Sequence, residues 1–250
     1  MNWYRWLFEH FKLPEGARVL EVGCGCGRLW RENLGRISHW QVTLMDASPG
    51  MIEEARAHLK DEPRTFTYSV MDAQEIPFGD ASFDAVVAIH MLYHVPDQHR
   101  ALSELRRVLK PGGRFYASTN GREHLREVGD LAAHFAEGET LERIRSAHTL
   151  NPFRLEDGLE MLSKYFSEVV LHKLESSLVV TEAEPLHAFI LSGEATADLR
   201  ERPSAAEVRR LDDFKAYLRE RIAAEGAVYI TQASGLFEAH GSGFEKATIR

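Results

Sequence analysis

The sequence has little cysteine: its 250 residues include two, Cys24 and Cys26. Only one residue separates them, so a disulfide between them would be badly strained, and the chain is predicted to be reduced and cytoplasmic. Zinc-binding cysteine pairs are usually separated by about two to four residues and accompanied by further ligands. No second pair exists, so we expect no metal here.

Long apolar runs are also missing. The longest, Ala85–Ile89, has five residues, whereas a membrane-spanning helix needs roughly 20, so we expect no membrane segment. The N-terminal sequence MNWYRWLFEHFK carries scattered charges and no small-residue cleavage site. It is therefore not interpreted as a signal peptide.

Basic residues are too few and too dispersed for a nucleic-acid surface. The chain has 30 Lys and Arg against 38 Asp and Glu, a net charge of −8. Proteins that hold a phosphate backbone carry clustered positive charge, so no nucleic-acid partner is predicted. The composition, 44% apolar and 27% charged, is typical of a globular protein. With no linker-like segment or repeat, residues 1–250 predict a single domain.

Strand and helix patterns alternate between residues 17 and 120. Strands are predicted at 17–22, 40–46, 66–70, 83–89 and 114–119, and helices at 48–60 and 99–109. Ser48 is a suitable N-cap for the first of these helices, and Pro111-Gly112-Gly113 is expected to end the second. This alternation predicts βαβ units, and hence an α/β fold with a doubly wound, Rossmann-like sheet.

The second half of the chain is less regular. Helices are predicted within 121–150, 156–166 and 182–192, and strands at 167–174, 227–231 and 236–239. Ser204 and Glu207 have the spacing of a capping box, and Gly226 follows the far end of the helix that they begin.

Three glycines, Gly23, Gly25 and Gly27, follow the first strand. Ligands bind at the carboxyl ends of the strands in doubly wound sheets, and glycines let them approach the backbone. The dinucleotide fingerprint needs a third glycine where Arg28 or Trp30 stands, and no Walker motif is present. A nicotinamide dehydrogenase is therefore disfavoured. A tight strand–helix turn without a ligand is the alternative reading of the cluster.

Two acidic residues follow the next two strands. Asp46 ends the second strand, where a carboxylate can accept both hydroxyls of a ribose; the alternative is a helix cap or a loop acid. Asp72 and Ala73 follow the third strand. The Asp72 carboxylate can accept from an adenine amino group while the Ala73 N–H meets a ring nitrogen. The alternative is a solvated loop aspartate.

Four segments then resemble a known family in their order and spacing. They are EVGCGCG (21–27), LMDASPGM (44–51), MDAQEIPFGDASFDAVVAIHMLYHV (71–95) and LKPGGRFYAS (109–118). Residues 17–120 resemble class I S-adenosylmethionine-dependent methyltransferases, in the small-molecule branch called the methyltransferase domain 11 type. The resemblance implies a seven-stranded sheet with an antiparallel last strand. It also implies transfer of a methyl group from S-adenosylmethionine to an oxygen, nitrogen or carbon atom of a small molecule.

The resemblance also implies site residues. Glu21 holds the loop and the amino group of the methionine moiety, Asp46 binds the ribose, and Ala47 and Met51 flank the adenine. The backbone at His90 faces the methionine end, and Arg28 is a candidate partner of the cofactor carboxylate. The predicted cofactor-binding set is Glu21, Gly23, Cys24, Gly25, Arg28, Asp46, Ala47, Met51, Asp72, Ala73, Gln74, His90 and Met91.

A general base is predicted just after the fourth strand. His90 and His94 stand one helical turn apart with Tyr93 between them. Methyl transfer to a hydroxyl or amine can use a base, and histidine is the usual choice. His94 is therefore the candidate base, and Tyr93 faces the substrate or packs on the cofactor. Alternatively His94 only packs beneath the cofactor. A metal site formed with His99 is not expected, because no carboxylate has suitable spacing.

The remaining segments are assigned around this core. The predicted organisation is an N-terminal cap helix (1–16), a cofactor-binding half (17–120), acceptor-site or lid segments (121–165 and 181–225) and terminal strands (226–240). His124, Phe153 and Phe189 are candidates for the acceptor wall. The aromatic N-terminal helix is predicted to close as a lid over the cofactor and the acceptor. For this helix and for both lid segments, simple packing is the alternative.

A non-catalytic protein that senses S-adenosylmethionine or scaffolds a partner is the alternative function, because it would need the same cofactor residues. The tetrapeptide His90-Met91-Leu92-Tyr93 replaces the Asn-Pro-Pro-Tyr type of amino-directed nucleic-acid and protein methyltransferases. A small acceptor is therefore favoured.

Overall fold

The computed structural model describes residues 2–37, 39–61, 66–147 and 152–241. The described strands are β1 (Arg18–Val22), β2 (Gln41–Asp46), β3 (Phe66–Val70), β4 (Phe83–Ile89), β5 (Leu109–Asn120), β6 (Glu168–Val180) and β7 (Val228–His240). They form one sheet in the order β3-β2-β1-β4-β5-β7-β6. Non-consecutive neighbours in this order indicate the crossovers of a doubly wound fold, as predicted.

Strands β1 to β5 are parallel, and the centre of the sheet is covered on both faces. In β1 the four residues after Arg18 are buried, and in β4 only Asp84 is partly exposed. Leu20 lies opposite Val86 of β4, and Val19 lies opposite Val42 of β2. Near-continuous apolar strands are typical of such doubly covered parallel sheets.

The last strand is antiparallel, as the sequence predicted. Beyond the end of β5, Gly121 pairs with Ala233 and Leu125 with Thr231. Residue numbers therefore increase along the segment after β5 while they decrease along β7. On the other side of β7, His172 bonds Glu238 and Ser176 bonds Gln232 in the same inverse order. Both neighbours of β7 therefore run opposite to it.

The helices surround this sheet. The described α-helices are α1 (Trp3–Glu9), α2 (Arg28–Arg31), α3 (Pro49–His58), α4 (Gln98–Val108), α5 (Arg126–Ala132), α6 (Gly138–Ala147), α7 (Leu155–Leu162), α8 (Ala183–Leu191), α9 (Ala197–Glu201) and α10 (Ala205–Glu225). The Ser48 hydroxyl accepts from the Met51 N–H at the start of α3. Ser204 and Glu207 form the predicted capping box of α10, and Gly226 caps its end with φ +82°.

Three strand predictions differ clearly from the structure. β6 continues to Val180, beyond the predicted end at residue 174. β5 begins at Leu109 and passes through Pro111-Gly112-Gly113, which was expected to separate helix from strand. The register between β4 and β5 shifts between Phe83 and Ala85. An irregularity at this point accommodates the extra residues of β5. The two predicted terminal strands are one continuous strand, β7.

The chain divides into two compact units. The first contains residues up to Thr119, from Phe153 to His172 and from Gly235 onward. Its core is formed by apolar residues of the sheet together with residues of α4 and α7. The second contains Asn120–Pro152 and Lys173–Ser234, and its core joins residues of α5, α8 and α10 to the start of β7.

A buried carboxylate ties together several parts of the first unit. Glu238 of β7 is 3% exposed. It accepts hydrogen bonds from Lys12 Nζ at 3.2 Å and from Arg114, and its other contact is His172 Nε2 at 3.1 Å. Burying a charge is costly unless it is paired, and these neighbours hold the pKa of Glu238 below its usual value against the effect of burial.

None of the described helices is both long enough and apolar enough to cross a membrane.

Candidate functional site

Four loops of the first unit follow neighbouring parallel strands. They comprise residues 23–27 after β1, 46–48 after β2, 71–74 after β3 and 90–94 after β4. Because the carboxyl ends of parallel strands meet at one edge of a sheet, all four loops lie at the same edge. Every residue of the predicted cofactor and catalytic set except Glu21, Arg28 and Met51 lies in these loops, and those three lie on β1, α2 and α3.

The glycine loop has a left-handed backbone at Gly23, Gly25 and Gly27, with φ of +68°, +52° and +73°. It is tied to β2 because the Cys24 N–H donates to the Met45 carbonyl at 3.0 Å. A Cβ atom on Gly25 would meet nothing within 4 Å. The backbone at Gly25 is therefore open to close approach by a ligand.

Gly23 is needed for a different reason, close packing. A Cβ atom there would lie 2.5 Å from Cβ of Met91. The loops after β1 and β4 thus touch at Gly23, and no larger residue fits without moving one of them.

Gly23→Ala is expected to lower the free energy of unfolding by about 2–3 kcal/mol, because the left-handed backbone and the clash both oppose it. Chemical denaturation measures the loss. Gly25→Ala is the matched control: it has the same backbone strain without a clash, so a loss of only about 1 kcal/mol is expected. Equal losses for the two variants would contradict the packing role of Gly23.

The Asp46 carboxylate is oriented by two backbone donors. The Gly25 N–H donates to Oδ2 and the Ser48 N–H to Oδ1, both at 2.9 Å. A carboxylate has about four acceptor sites, so each oxygen can accept a further hydrogen bond. The group can therefore take both hydroxyls of a ribose beside the open glycine backbone.

Glu21 is a buried acid close to Asp46. It is 2% exposed, and its Oε2 accepts a hydrogen bond of 2.6 Å from the Trp30 indole. Burial raises the pKa of Glu21 to about 8, against the effect of the Trp30 hydrogen bond, and the Asp46 charge raises it further. At neutral pH this carboxyl is largely protonated until a positive group comes near. No pattern in the sequence predicts the hydrogen bond between Trp30 and Glu21.

Both cysteines are free, and Cys24 is buried. Burial raises the pKa of the Cys24 thiol, and the nearby Glu21 and Asp46 raise it further. Cys24 therefore lines the loop as a neutral thiol. Within the part of the chain that the structure describes, no three His, Cys, Asp or Glu side chains are grouped to hold a metal ion.

Asp72 is exposed, and Gln74 holds it. The Gln74 N–H donates to Oδ1 at 2.8 Å and its side-chain amide to Oδ2 at 3.0 Å, which keeps the pKa of Asp72 below its usual value. Gln74 Oε1 in turn accepts from the Asp97 N–H at 3.1 Å. Ala73 is buried, whereas Ala47 and Met51 are exposed. Gln74 thus serves to orient Asp72.

The loop after β4 holds the proposed base. His90 has a left-handed backbone, φ +52°, and its N–H donates to the Ser118 carbonyl at 3.2 Å. His94 is exposed and ends a short 3-10 turn, Leu92–His94, with its ring 4.5 Å from that of Tyr93. Burial raises the pKa of the Tyr93 phenol, as does nearby Tyr4. The predicted helical turn from His90 to His94 is therefore shorter and begins after His90.

Helix α1 lies against this edge. The Asn2 side chain caps it and also donates to Glu32 at 2.9 Å. The Trp3 ring lies 5.3 Å from the His90 ring, and the Arg28 guanidinium lies 5.1 Å over the Tyr4 ring. The sequence predicts an aromatic lid at the N-terminus, but it does not predict the particular contacts of Trp3 with His90 and of Tyr4 with Arg28.

The three candidates for the acceptor wall lie in different settings. Phe153 has no exposed surface and packs against Phe237 in the core of the first unit, so it offers no ring to a ligand. In the second unit, Phe189 is 48% exposed and His124 Nδ1 accepts from the Ala233 N–H at 3.3 Å.

The known sequences that match this chain are described as methyltransferases. The profile of a family described as "Methyltransferase domain" matches residues 20–117. The ubiquinone biosynthesis O-methyltransferase of Xanthomonas axonopodis pv. citri (strain 306) is 40% identical over 110 residues, 44% of this chain and 45% of that protein. The O-methyltransferase cnsE of Penicillium expansum is 34% identical over 125 residues, 49% and 45% of the two chains. The chain thus spans less than half the length of these curated relatives.

Solved structures share the fold over nearly the whole chain. A protein from Bacillus halodurans C-125 has a TM-score of 0.64 at 21% identity, covering 96% of this chain and 99% of its own. Phosphoethanolamine N-methyltransferase 2 of Haemonchus contortus, in complex with S-adenosyl-L-methionine, has 0.60 at 21% identity, covering 96% and 52%. The [4+2]-cyclase SpnF has 0.58 at 21% identity, covering 96% and 80%.

Proposed function

We propose that the protein transfers the methyl group of S-adenosylmethionine to a small molecule, because the profile of the methyltransferase domain family matches its residues 20–117. The receiving atom is an oxygen, nitrogen or carbon, and the other product is S-adenosylhomocysteine. One observation carries the proposal: the Asp46 carboxylate is held by backbone donors beside the open backbone of Gly25. This arrangement fits a ribose.

The other residues at this edge of the sheet form the proposed sites for the adenine and for the amino-acid end of the cofactor. Asp72 and the Ala73 N–H take the adenine edge, with Ala47 and Met51 on its faces and Gln74 behind Asp72. Glu21 takes the amino group and Arg28 the carboxylate of the amino-acid end. The backbone of Gly23, Cys24, Gly25, His90 and Met91 completes the wall.

S-adenosylmethionine supplies a methyl group that its sulfonium already activates. What remains for the protein is to hold the acceptor in line with the methyl group and the sulfur. His94 and Tyr93 lie on the loop after β4, which suits them for orienting an acceptor and, in the case of His94, for taking its proton.

A hydroxyl is the acceptor group that these residues suit best. Two of the relatives are named as O-methyltransferases, and a hydroxyl is the group for which a histidine base is most useful. The acidic net charge of −8 favours a small, uncharged or cationic acceptor over a nucleic acid. With its two free cysteines, the chain is proposed to act in the cytoplasm.

His94→Ala is expected to slow methyl transfer at least tenfold while leaving the Kd for S-adenosylhomocysteine within twofold, because the imidazole serves the acceptor. Transfer from methyl-labelled S-adenosylmethionine to a small-molecule extract measures the rate. His99→Ala is the control, since His99 is another exposed histidine nearby, bonded to Tyr165. Weakened binding with normal residual turnover would mean that His94 is structural.

The second candidate function is binding of the cofactor without methyl transfer. The fold is shared with SpnF, whose name is that of a cyclase, so the fold does not by itself imply methyl transfer. Calorimetric titration with S-adenosylmethionine, S-adenosylhomocysteine and NAD separates the possibilities. Micromolar binding of the first two together with label transfer supports the enzyme, and binding without any transfer supports the sensor. Binding of NAD alone would overturn both.

A further inference from the structure

Trp3 carries a buried hydrogen-bond donor that lacks a partner. Its indole Nε1 has no exposed surface and no hydrogen-bond acceptor among the residues that the structure describes. The ring is packed between Trp6, with ring centroids 5.2 Å apart, and His90, at 5.3 Å. Buried donors are rarely left unpaired, because the bond to water that they lose is not replaced. A ligand that offers an acceptor atom would replace it.

The indole is linked to the glycine loop through the residues that follow β4. His90 and Met91 follow β4 directly, and Met91 is the residue that packs against Gly23. A contiguous path of contacts therefore runs from Trp3 through the loop after β4 to the turn after β1. The next residue, Tyr4, has the Arg28 guanidinium over its ring, so a positive charge packs against the residue that follows Trp3.

Helix α1 is held firmly in this position. Asn2 donates to Glu32 at 2.9 Å, and Asn33 donates to the Tyr4 carbonyl at 3.1 Å. The Arg36 guanidinium bonds the Arg5 carbonyl at 3.3 Å. These bonds hold the backbone of the helix before any ligand binds, so only the Trp3 side chain has to turn for its buried N–H to meet a ligand.

The order of the strands indicates which end of the ligand meets Trp3. Asp46 and Asp72 follow β2 and β3, which lie on one side of β1, whereas β4 lies on the other. A ligand whose ribose is at Asp46 and whose adenine is at Asp72 therefore extends its amino-acid end toward β4. Glu21 attracts the ammonium of that end, and the carboxylate is left for the donors.

We propose that the Trp3 indole N–H donates a hydrogen bond to the carboxylate of the amino-acid end of S-adenosylmethionine and S-adenosylhomocysteine, with Arg28 as the neighbouring positive charge. This proposal rests on the proposed function. It makes Trp3 a determinant of specificity for adenosyl ligands that carry this carboxylate over those that lack it.

The test compares S-adenosylhomocysteine with 5′-methylthioadenosine, which has the same adenosine but no amino-acid carboxylate. The quantity measured is the ratio of the two Kd values within each variant, so that a general loss of stability affects both ligands equally. Trp3→Phe keeps an aromatic ring without the N–H. Trp3→His, at pH 8, restores a ring N–H without adding a charge. Trp40→Phe is the matched control, because its indole N–H donates to the Pro14 carbonyl in the same unit.

Trp3→Phe is expected to weaken binding of S-adenosylhomocysteine about tenfold, the effect of losing a hydrogen bond to a charged group, and to leave methylthioadenosine within twofold. Trp3→His is expected to recover part of the ratio, and Trp40→Phe to leave it unchanged. An unchanged ratio in both Trp3 variants, or equal weakening of both ligands, would overturn the role of Trp3. Failure of the wild-type protein to bind either ligand would instead overturn the proposed function.

Discussion

Asp46→Ala is expected to raise the Kd for S-adenosylhomocysteine roughly a hundredfold. In the proposed site the change removes two charge-assisted hydrogen bonds to the ribose, each worth about 1.5–3 kcal/mol. It also removes the acceptor of the Gly25 and Ser48 N–H groups, so the loop that approaches the ligand loses its support. Calorimetric titration gives the Kd directly.

Two further variants show where the effect arises. Asp46→Asn keeps one acceptor oxygen without the charge and is expected to lie between wild type and Asp46→Ala. Glu54→Ala removes an exposed acid of α3 and is expected to leave the Kd unchanged. Unaltered affinity in a folded Asp46→Ala protein would remove Asp46 from the ribose site.

Raising the pH from 6 to 8 is expected to strengthen binding of S-adenosylhomocysteine by up to about fiftyfold, the rise in the ionised fraction of a group with a pKa of about 8. The pKa of Glu21 in the ligand-free protein is raised to about 8, whereas in the proposed complex the ammonium group of the ligand pairs with the ionised carboxylate. Each pH unit below this pKa therefore costs up to about tenfold in affinity. Titrations at pH 6, 7 and 8 test this, and heats in buffers of different ionisation enthalpy report the released proton.

The unliganded protein is expected to show the opposite trend in stability. The pKa of Glu21 rises from 4.5 in the unfolded chain to about 8 in the folded one, so between these values the folded state binds more protons. Its free energy of unfolding then falls by up to about 1.4 kcal/mol per pH unit as the pH rises through that window. Glu21→Gln should remove this slope and the pH dependence of binding together. Wild-type binding that is independent of pH, without proton release, would contradict the role of Glu21.

The first half of the fold could be predicted because its signals are local. Strands β3 and β4 begin and end at the predicted residues, since apolar runs are bounded by polar residues and turns. β7 was split in the prediction because Gln232 and Ser234 interrupt its apolar pattern. In the structure these side chains bond Ser176 and Asn120 of neighbouring strands. Such pairings across the sheet are not visible in one strand's sequence.

In the candidate site, too, the features that depend on local sequence could be predicted, whereas those that depend on distant contacts could not. The positions of Gly23, Gly25, Asp46 and Asp72 after successive strands follow from motif order and spacing. The Trp30 bond to Glu21 and the Trp3 contact with His90 join residues whose side chains meet only after the helices pack on the sheet. No periodicity or motif in a single sequence encodes those meetings, so the pKa of Glu21 and the unpaired donor of Trp3 required the structure.

The left-handed backbone of His90, φ +52°, sets the stability of the backbone against the packing of the side chain at this position. A residue with a Cβ atom is strained there by about 1–2 kcal/mol relative to glycine. Glycine would relieve the strain but would leave Trp3 without the ring that it packs against. The stability of the unliganded fold and the packing of Trp3 therefore favour different residues at position 90: His90→Gly is expected to gain in the first and to lose in the second.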